Sequence, residues 1–318
     1  MFPDNDWYSN KKILFDFCGI EKTYPIKATL QHGWYPFYDK YTIKNNKYCT
    51  SAPYLCWSKK FRQFFSRRGV NIKSIGSPFL YLCKIKGKIS KKVNGTILFP
   101  THSGPEFKQN VDHEKIIKIV IKNYEPPFGV CLFYTDYKKK IINLYKKKNF
   151  KIYCCGSRAD ENFLYNFYNI VTNFKICVFM ELNSALMYCI YLKKDCKIHD
   201  KDKFGNSLCS YGSLMQEKNK NNFLHKYLNK KDKASKNKLF RIACNELGYK
   251  EMKKPEELIE ILGLKKIFNN VFAYIFSKLH DIKFGKKIRL GLKDNKFSQY
   301  FKKYNPNYIK INTKIKKY

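Results

Sequence analysis

The amino-acid sequence predicts an α/β protein whose main part is a parallel, doubly wound sheet. Four apolar, strand-like runs occur between residues 96 and 192, and a helix-like segment follows each of them. Strands that alternate with helices at this spacing are typical of a parallel sheet with right-handed crossovers. The chain has 318 residues, of which 44% are hydrophobic and 17% aromatic, enough for one large domain or two modest ones.

The hydrophobic pattern of this repeat predicts each element in turn. We expect strands at Thr96–Pro100, Gly129–Tyr134, Phe150–Cys155 and Lys175–Phe179, and helices at Asp112–Lys122, Tyr137–Lys148, Asp160–Ile170 and Asn183–Leu192. Right-handed crossovers place the carboxyl ends of these strands on one edge of the sheet. Ligands of open α/β sheets bind at that edge, so we expect the binding site of this protein there.

The rest of the chain divides into three parts. Residues 1–83 hold short strand-like runs at 26–31, 52–57 and 72–75, with a helix through 61–65, and predict a shortened N-terminal domain. The lysine-rich segment 84–95 resembles a linker, which makes 96–264 a second, Rossmann-like domain that ends in a short helix at 256–264. Residues 265–318 form a basic tail with interleaved aromatic residues.

The charge of the chain limits the kinds of partner. Lys and Arg total 63 against 25 acids, a net charge of +38. An AT-rich genome would enrich lysine without any function, whereas a polyanionic partner would require the charge. Only six of the basic residues are arginines, the side chain most used to read base edges, and no nucleic-acid-binding signature occurs. Specific nucleic-acid recognition is therefore disfavoured.

The tail suggests a different anionic partner. We expect residues 264–288 to form an amphipathic segment on the anionic inner face of a membrane, with Phe268, Phe272, Phe276 and Leu279 inserted. In the alternative interpretation, these aromatic residues pack against the sheet as core. The first six residues lack the features of a signal peptide and no apolar run is long enough to span a bilayer, so we expect a cytoplasmic, membrane-peripheral protein.

The twelve cysteines predict neither a disulfide scaffold nor a zinc site. Most occur singly in apolar stretches, where a reduced thiol behaves as a small hydrophobic side chain. No C-x-x-C pair is present, and the adjacent Cys154 and Cys155 should point to opposite faces of a strand. We expect all twelve to be reduced and mostly structural.

Polar residues and glycines follow the predicted strands, at the edge where ligands bind in this architecture. They are His32 and Gly33, then Thr101, His102 and Ser103, then Thr135 and Asp136, then Gly156 and Arg158, and last Glu181, Asn183 and Ser184.

Four segments, at 29–34, 75–78, 97–101 and 183–188, read TLQHGW, IGSP, ILFPT and NSALMY. In this order and spacing they resemble motifs of the GT-B transferases of bacterial surface polymers. The nearest pattern is that of the CDP-glycerol-dependent teichoic-acid polymerases, and capsule and lipopolysaccharide glycosyltransferases are related to it. The resemblance extends from residue 29 to about residue 200. Two departures are that only 31 residues precede His32, and that Thr135–Tyr137 stands where the family often has His-Pro.

The resemblance implies two Rossmann-like domains, an acceptor side in 1–83 and a donor-nucleotide domain in 96–264. It implies transfer of a glycosyl or polyol-phosphate group from a nucleotide-activated donor, CMP- or CDP-linked, to a saccharide or lipid-linked acceptor. No Asp-x-Asp motif occurs, so neither a metal nor another cofactor is expected. The competing function is a non-catalytic, basic nucleic-acid-binding protein, which the charge and the interleaved aromatic residues would suit.

The resemblance also assigns roles. His32 is the first choice for the base that activates the acceptor hydroxyl, and His102 is the second. The helix that begins at Ser184 would hold the donor phosphate, with Arg158 adding a cation. Thr101, Ser103, Gly156, Glu181 and Asn183 complete the expected donor site. The alternatives are structural: His32 as a turn histidine, Ser184 as a helix cap and Arg158 in a surface ion pair.

Overall fold

The structure is a computed structural model that describes residues 3–20, 24–38, 52–87, 93–103, 111–199 and 223–264. The predicted membrane-binding tail, residues 265–318, lies outside the described residues. No helix in the described ranges is both long and apolar enough to cross a bilayer.

The described chain is α/β, as predicted, with two parallel sheets. The strands are β1 (Thr29–Leu30), β2 (Tyr54–Cys56), β3 (Ile72–Ser74), β4 (Asn94–Phe99), β5 (Phe128–Cys131), β6 (Lys151–Tyr153), β7 (Phe174–Phe179) and β8 (Asp195–Ile198). The α-helices are α1 (Asn10–Cys18), α2 (Lys59–Ser66), α3 (Pro78–Lys86), α4 (His113–Asn123), α5 (Lys139–Lys146), α6 (Phe163–Val171), α7 (Ser184–Tyr191), α8 (Lys233–Glu246) and α9 (Pro255–Ile261). Short 3₁₀ segments occur at Pro3–Ser9, Tyr134–Asp136, Phe223–Lys226 and Tyr249–Glu251.

The larger sheet has five parallel strands in the order β6-β5-β4-β7-β8. This is the order of a doubly wound, Rossmann-like sheet, because the chain adds strands first on one side of β4 and then on the other. The direction reverses between β4 and β7, and a crevice forms outside the carboxyl ends of strands at such a reversal. The four strand–helix units predicted from 96 to 192 are all present.

The observed elements are shorter than predicted where loops bend toward one another. The strand expected at Gly129–Tyr134 ends at Cys131, because the following residues turn so that the Asp136 carboxylate can accept the Ser103 N–H at 2.7 Å. The helix expected from Asp160 begins at Phe163, after a turn in which the Asp160 N–H donates to the Ser157 carbonyl. Such boundary errors are usual for sequence patterns.

The smaller sheet, β1-β2-β3, is also parallel and contains the three N-terminal strands predicted from sequence. Two helices of this half were not predicted: α1 and α3, which pack against each other. Helix α3 is largely buried and apolar, so it lacks the polar face that marks an amphipathic helix. It extends to Lys86 and β4 begins at Asn94, so regular elements enter the suggested linker 84–95 from both sides.

The two sheets share one hydrophobic core. It joins N-terminal residues such as Trp57 and Phe79 to Phe99, Phe167 and Tyr188 of the larger half. The C-terminal segment strengthens this connection, since α8 packs on α7 and α9 packs on α1. Between them, the Leu247 carbonyl accepts the Ser77 N–H at 2.8 Å, at the start of α3.

At the outer edge of β8, a side chain pairs with the backbone of Ile198. The Asn229 amide donates to the Ile198 carbonyl at 3.0 Å, and its oxygen accepts the Ile198 N–H at 2.9 Å. Asn229 has a φ of +70°, which asparagine tolerates better than most residues.

Gly248 lies at the closest approach of the C-terminal segment to the smaller sheet. Its φ is +72°, and a Cβ there would lie 1.8 Å from the Trp57 carbonyl oxygen. We therefore expect Gly248→Ala to lower the free energy of unfolding by more than about 3 kcal/mol in urea denaturation. Gly69→Ala is the matched control, because its φ is +74° with nothing within 4 Å, and backbone strain alone should cost about 1 kcal/mol. Equal losses in the two variants would contradict a steric role for Gly248.

Candidate functional site

A cavity of about 270 Å³ lies at the carboxyl ends of β4 and β7, where the strand order reverses. Both sheets contribute to it, since His32 and Gly33 follow β1 of the smaller sheet. The residues around the cavity are Tyr8, His32, Gly33, Phe99, Pro100, His102, Cys131, Leu132, Phe133, Cys155, Phe163, Leu164, Phe167, Asn183, Ser184, Ala185 and Tyr188. The wall is mostly aromatic and aliphatic, and none of these residues is a lysine or an arginine.

The start of α7 joins the two halves beside the cavity. Asn183 caps the helix, its side-chain oxygen accepting the Leu186 N–H at 3.0 Å. The Ser184 hydroxyl accepts the Trp34 N–H at 2.8 Å, and a Cβ on Gly33 would lie 3.3 Å from the same oxygen. Glycine therefore allows the His32–Trp34 loop to lie directly on the helix start.

One turn further along α7, the buried Tyr188 hydroxyl interacts with the hydroxyls of Ser77 and Ser184. Burial raises the pKa of this phenol well above its usual range, so it stays protonated at neutral pH. Its ring stacks on Phe79 at a centroid distance of 4.2 Å. Tyr188 thus connects the smaller half to the cavity wall.

The loop after β4 holds Thr101, His102 and Ser103, and it is fixed from two sides. The Asp136 carboxylate accepts the Ser103 N–H, and the Thr135 hydroxyl donates to the Ser103 carbonyl at 2.6 Å. Thr101 and Ser103 are buried, whereas His102 faces the cavity with its ring 4.2 Å from that of Phe133. The turn after β5 therefore positions His102.

Glu181 follows β7 and interacts with His102 across the crevice. Enclosure of its carboxyl by protein atoms raises its pKa, although the nearby His102 and a hydrogen bond with Asn183 partly oppose this. Glu181 and His102 are therefore two ionisable side chains whose charges interact at this edge of the sheet.

His32 lies within a cluster of aromatic rings from the N-terminal half. The Trp7 ring approaches it edge-on at 5.4 Å, and the Tyr8 ring is stacked at 6.4 Å. The Arg158 guanidinium packs over Trp7, 4.1 Å from the ring centre, and the Arg158 carbonyl accepts the Tyr8 N–H at 2.7 Å. Arg158 therefore contacts the segment behind His32 and is not among the cavity-lining residues.

Gly156 has a structural reason to be glycine. Its φ is +104°, and a Cβ would lie 2.3 Å from a carboxylate oxygen of Asp160. The turn that it allows places Asp160 so that its carbonyl accepts the Ser9 hydroxyl at 3.3 Å. Gly156 thereby helps to hold the N-terminal segment, and with it Tyr8, against the cavity.

Of the nine sequence-predicted site residues, His32, His102, Asn183 and Ser184 line one cavity. Thr101, Ser103 and Glu181 lie directly behind it, whereas Gly156 and Arg158 support the N-terminal segment. Sequence reasoning missed the aromatic wall. Tyr188 could have been found, because it lies four residues after Ser184 and so on the same face of α7. Tyr8 carries no comparable signal, since its segment has no strand or helix periodicity.

Within the described ranges, no three His, Cys, Asp or Glu side chains gather in a way that could hold a metal ion. Comparison with protein-family models, with curated proteins and with solved structures found no significant match.

Ser184→Ala removes the acceptor of the Trp34 N–H, at a position where Trp34 is 7% exposed. Because a buried donor without a partner is costly, we expect the free energy of unfolding to fall by about 1–3 kcal/mol in urea denaturation. Ser66→Ala, at the exposed end of α2, is the control and should change stability by less than about 0.5 kcal/mol. A Ser184→Ala variant as stable as this control would show that the hydrogen bond adds nothing to stability.

Glu181 should make stability depend on pH. Its pKa is raised in the folded protein above the ordinary value of 4.5, so above that value the folded state keeps a proton that the unfolded chain has released. The free energy of unfolding then falls as the pH rises through the interval between the two pKa values. Glu181→Gln cannot titrate, so the stability of this variant relative to the unmutated protein should increase as the pH rises above 4.5.

Urea denaturation at several pH values measures this difference. Glu125→Gln changes an exposed carboxylate and serves as the control, whose stability difference should stay nearly flat over the same range. A flat difference for Glu181→Gln as well would mean that the carboxyl is solvated in the folded protein.

Proposed function

We propose that the protein is a transferase of the GT-B kind. It would move a glycosyl or polyol-phosphate group from a CMP- or CDP-linked donor to a saccharide or lipid-linked acceptor of a surface polymer. The main support for this proposal is that residues from both parallel sheets line a single cavity. His32 comes from one sheet, and His102, Asn183 and Ser184 come from the other. Two sheets whose strand ends face one cavity suit a reaction with two substrates, one held by each half.

The start of α7 supports a donor site. The positive end of the helix dipole points at the cavity, because Asn183, Ser184 and Ala185 all line it. A departing nucleotide gains negative charge on its phosphate, and a helix N-terminus can stabilise that charge. The aromatic wall suits the uncharged parts of the donor, with Phe133 and the His102 ring forming a surface on which a flat base can stack.

The acid and base groups support a transfer step. In the proposed reaction, His32 accepts the proton of the acceptor hydroxyl while the acceptor oxygen bonds to the donor group and the nucleotide leaves. His102, held beside Glu181, is placed to exchange a proton with the departing side of the reaction. The proposal therefore assigns the histidines to opposite substrates, one on each sheet.

The first experiment measures thermal unfolding of the purified full-length chain with CMP, CDP, UDP, GDP and short oligonucleotides. We expect a cytidine nucleotide to raise the melting temperature, and Asn183→Ala, which alters the cavity and the helix cap, to weaken this effect at least about tenfold in apparent affinity. Stabilisation by oligonucleotides alone would instead favour a nucleic-acid-binding protein and reject the transferase proposal.

The two histidines can be tested by turnover of the donor selected in that experiment. His32→Asn and His102→Asn should each slow nucleotide release by about 10²–10⁴-fold with little change in nucleotide affinity, as expected for loss of a general acid or base. His113→Asn is the matched control, because that ring contacts Tyr145 and is not a cavity residue. Equal rates for all three variants would show that neither His32 nor His102 acts as a general acid or base.

A further inference from the structure

Two cysteine thiols meet in the wall of the cavity. Cys131 ends β5, and Cys155 lies two residues beyond the end of the neighbouring strand β6. Their sulfur atoms are 3.6 Å apart, and both residues line the cavity. The pair forms because β5 and β6 are adjacent in the sheet, with Cys131 in register with Tyr153.

The other close cysteines are placed differently. Cys177, Cys189 and Cys196 have interacting thiols, but all three are buried in the core and none lines the cavity. Cys154, next to Cys155 in sequence, points into the separate core on the other side of the sheet. Cys131 is partly exposed, so among these thiols the pair in the cavity wall is the one that a small reagent in the cavity can reach.

We propose that Cys131 and Cys155 form an oxidisable dithiol site in the cavity, which a two-electron oxidant of the hydrogen peroxide class converts to a disulfide. The sulfur atoms need to approach from 3.6 Å to about 2.05 Å, a distance within reach of side-chain rotation. This site does not depend on the function proposed above.

The proposed oxidation of the two thiols proceeds in two steps. First, the Cys131 sulfur attacks one oxygen of the peroxide and the O–O bond breaks, giving a sulfenic acid at Cys131 and one molecule of water. The Cys155 sulfur then attacks the Cys131 sulfur, the S–O bond breaks, and the hydroxide takes the Cys155 proton and leaves as a second water. Two thiols are oxidised to one disulfide, and one peroxide is reduced to two waters.

The order of the steps follows from the environments of the two thiols. The hydrogen bond with Cys131, together with burial, raises the pKa of the Cys155 thiol well above its usual range. Cys155 therefore remains protonated and reacts second, as the resolving thiol, whereas the partly exposed Cys131 meets the oxidant first. The disulfide would change the shape of the cavity wall that both cysteines line.

The test treats the reduced full-length protein with limiting hydrogen peroxide, blocks the remaining thiols by alkylation, and maps disulfide-linked peptides by mass spectrometry. We expect the Cys131–Cys155 link to exceed any other cysteine pair by at least about tenfold, and dithiothreitol to remove it. Mapping needs no activity, so its outcome is independent of whether the protein is a transferase.

Two variants test whether the link requires the cysteine in the cavity wall. Cys131→Ser should abolish the link and leave Cys155 unoxidised, whereas Cys177→Ser, in the core, should leave the link unchanged. A different cysteine pair as the main product, or over-oxidation of Cys131 without linkage, would overturn the proposal. The mapping of the unmutated protein tests it even if a variant fails to fold.

Discussion

The hydrogen bond from the Trp34 N–H to the Ser184 hydroxyl is the contact on which the arrangement of the site depends. It attaches the loop that carries His32, at the edge of one sheet, to the first turn of the helix that follows the central strands of the other. Gly33 makes the contact close enough, because any side chain there would press on Ser184. This contact, together with the hydrophobic core that the two sheets share, places His32 and His102 at one cavity.

The sequence predicted the larger sheet well and its site in part. Four apolar runs at regular spacing determined the strand–helix units, and the polar residues after them identified His102, Asn183 and Ser184. The smaller half was harder, because α3 is buried on nearly all sides and so lacks the amphipathic pattern that reveals a helix. Arg158 is a separate case: its contact with Trp7 joins residues far apart in sequence, which no local pattern can indicate.

The cavity combines a mostly apolar wall with a few polar side chains, among them His32, His102, Asn183 and Ser184. Among the described residues that line the cavity there is no lysine or arginine, so of these residues those at the start of α7 are the best placed to meet negative charge on a bound ligand. Burial of the Glu181 carboxyl raises its pKa, and the nearby His102 partly opposes this.

The amide of Asn229 limits how two copies of this protein can pair through the edge of the sheet. By occupying both backbone groups of Ile198, it acts as a one-residue substitute for a further strand and leaves that stretch of the sheet edge without hydrogen-bonding capacity. Edge strands with free backbone groups invite pairing between chains, and with it aggregation. At the opposite edge of the sheet, β6, the exposed charge of Lys151 opposes pairing with a second copy of the same strand.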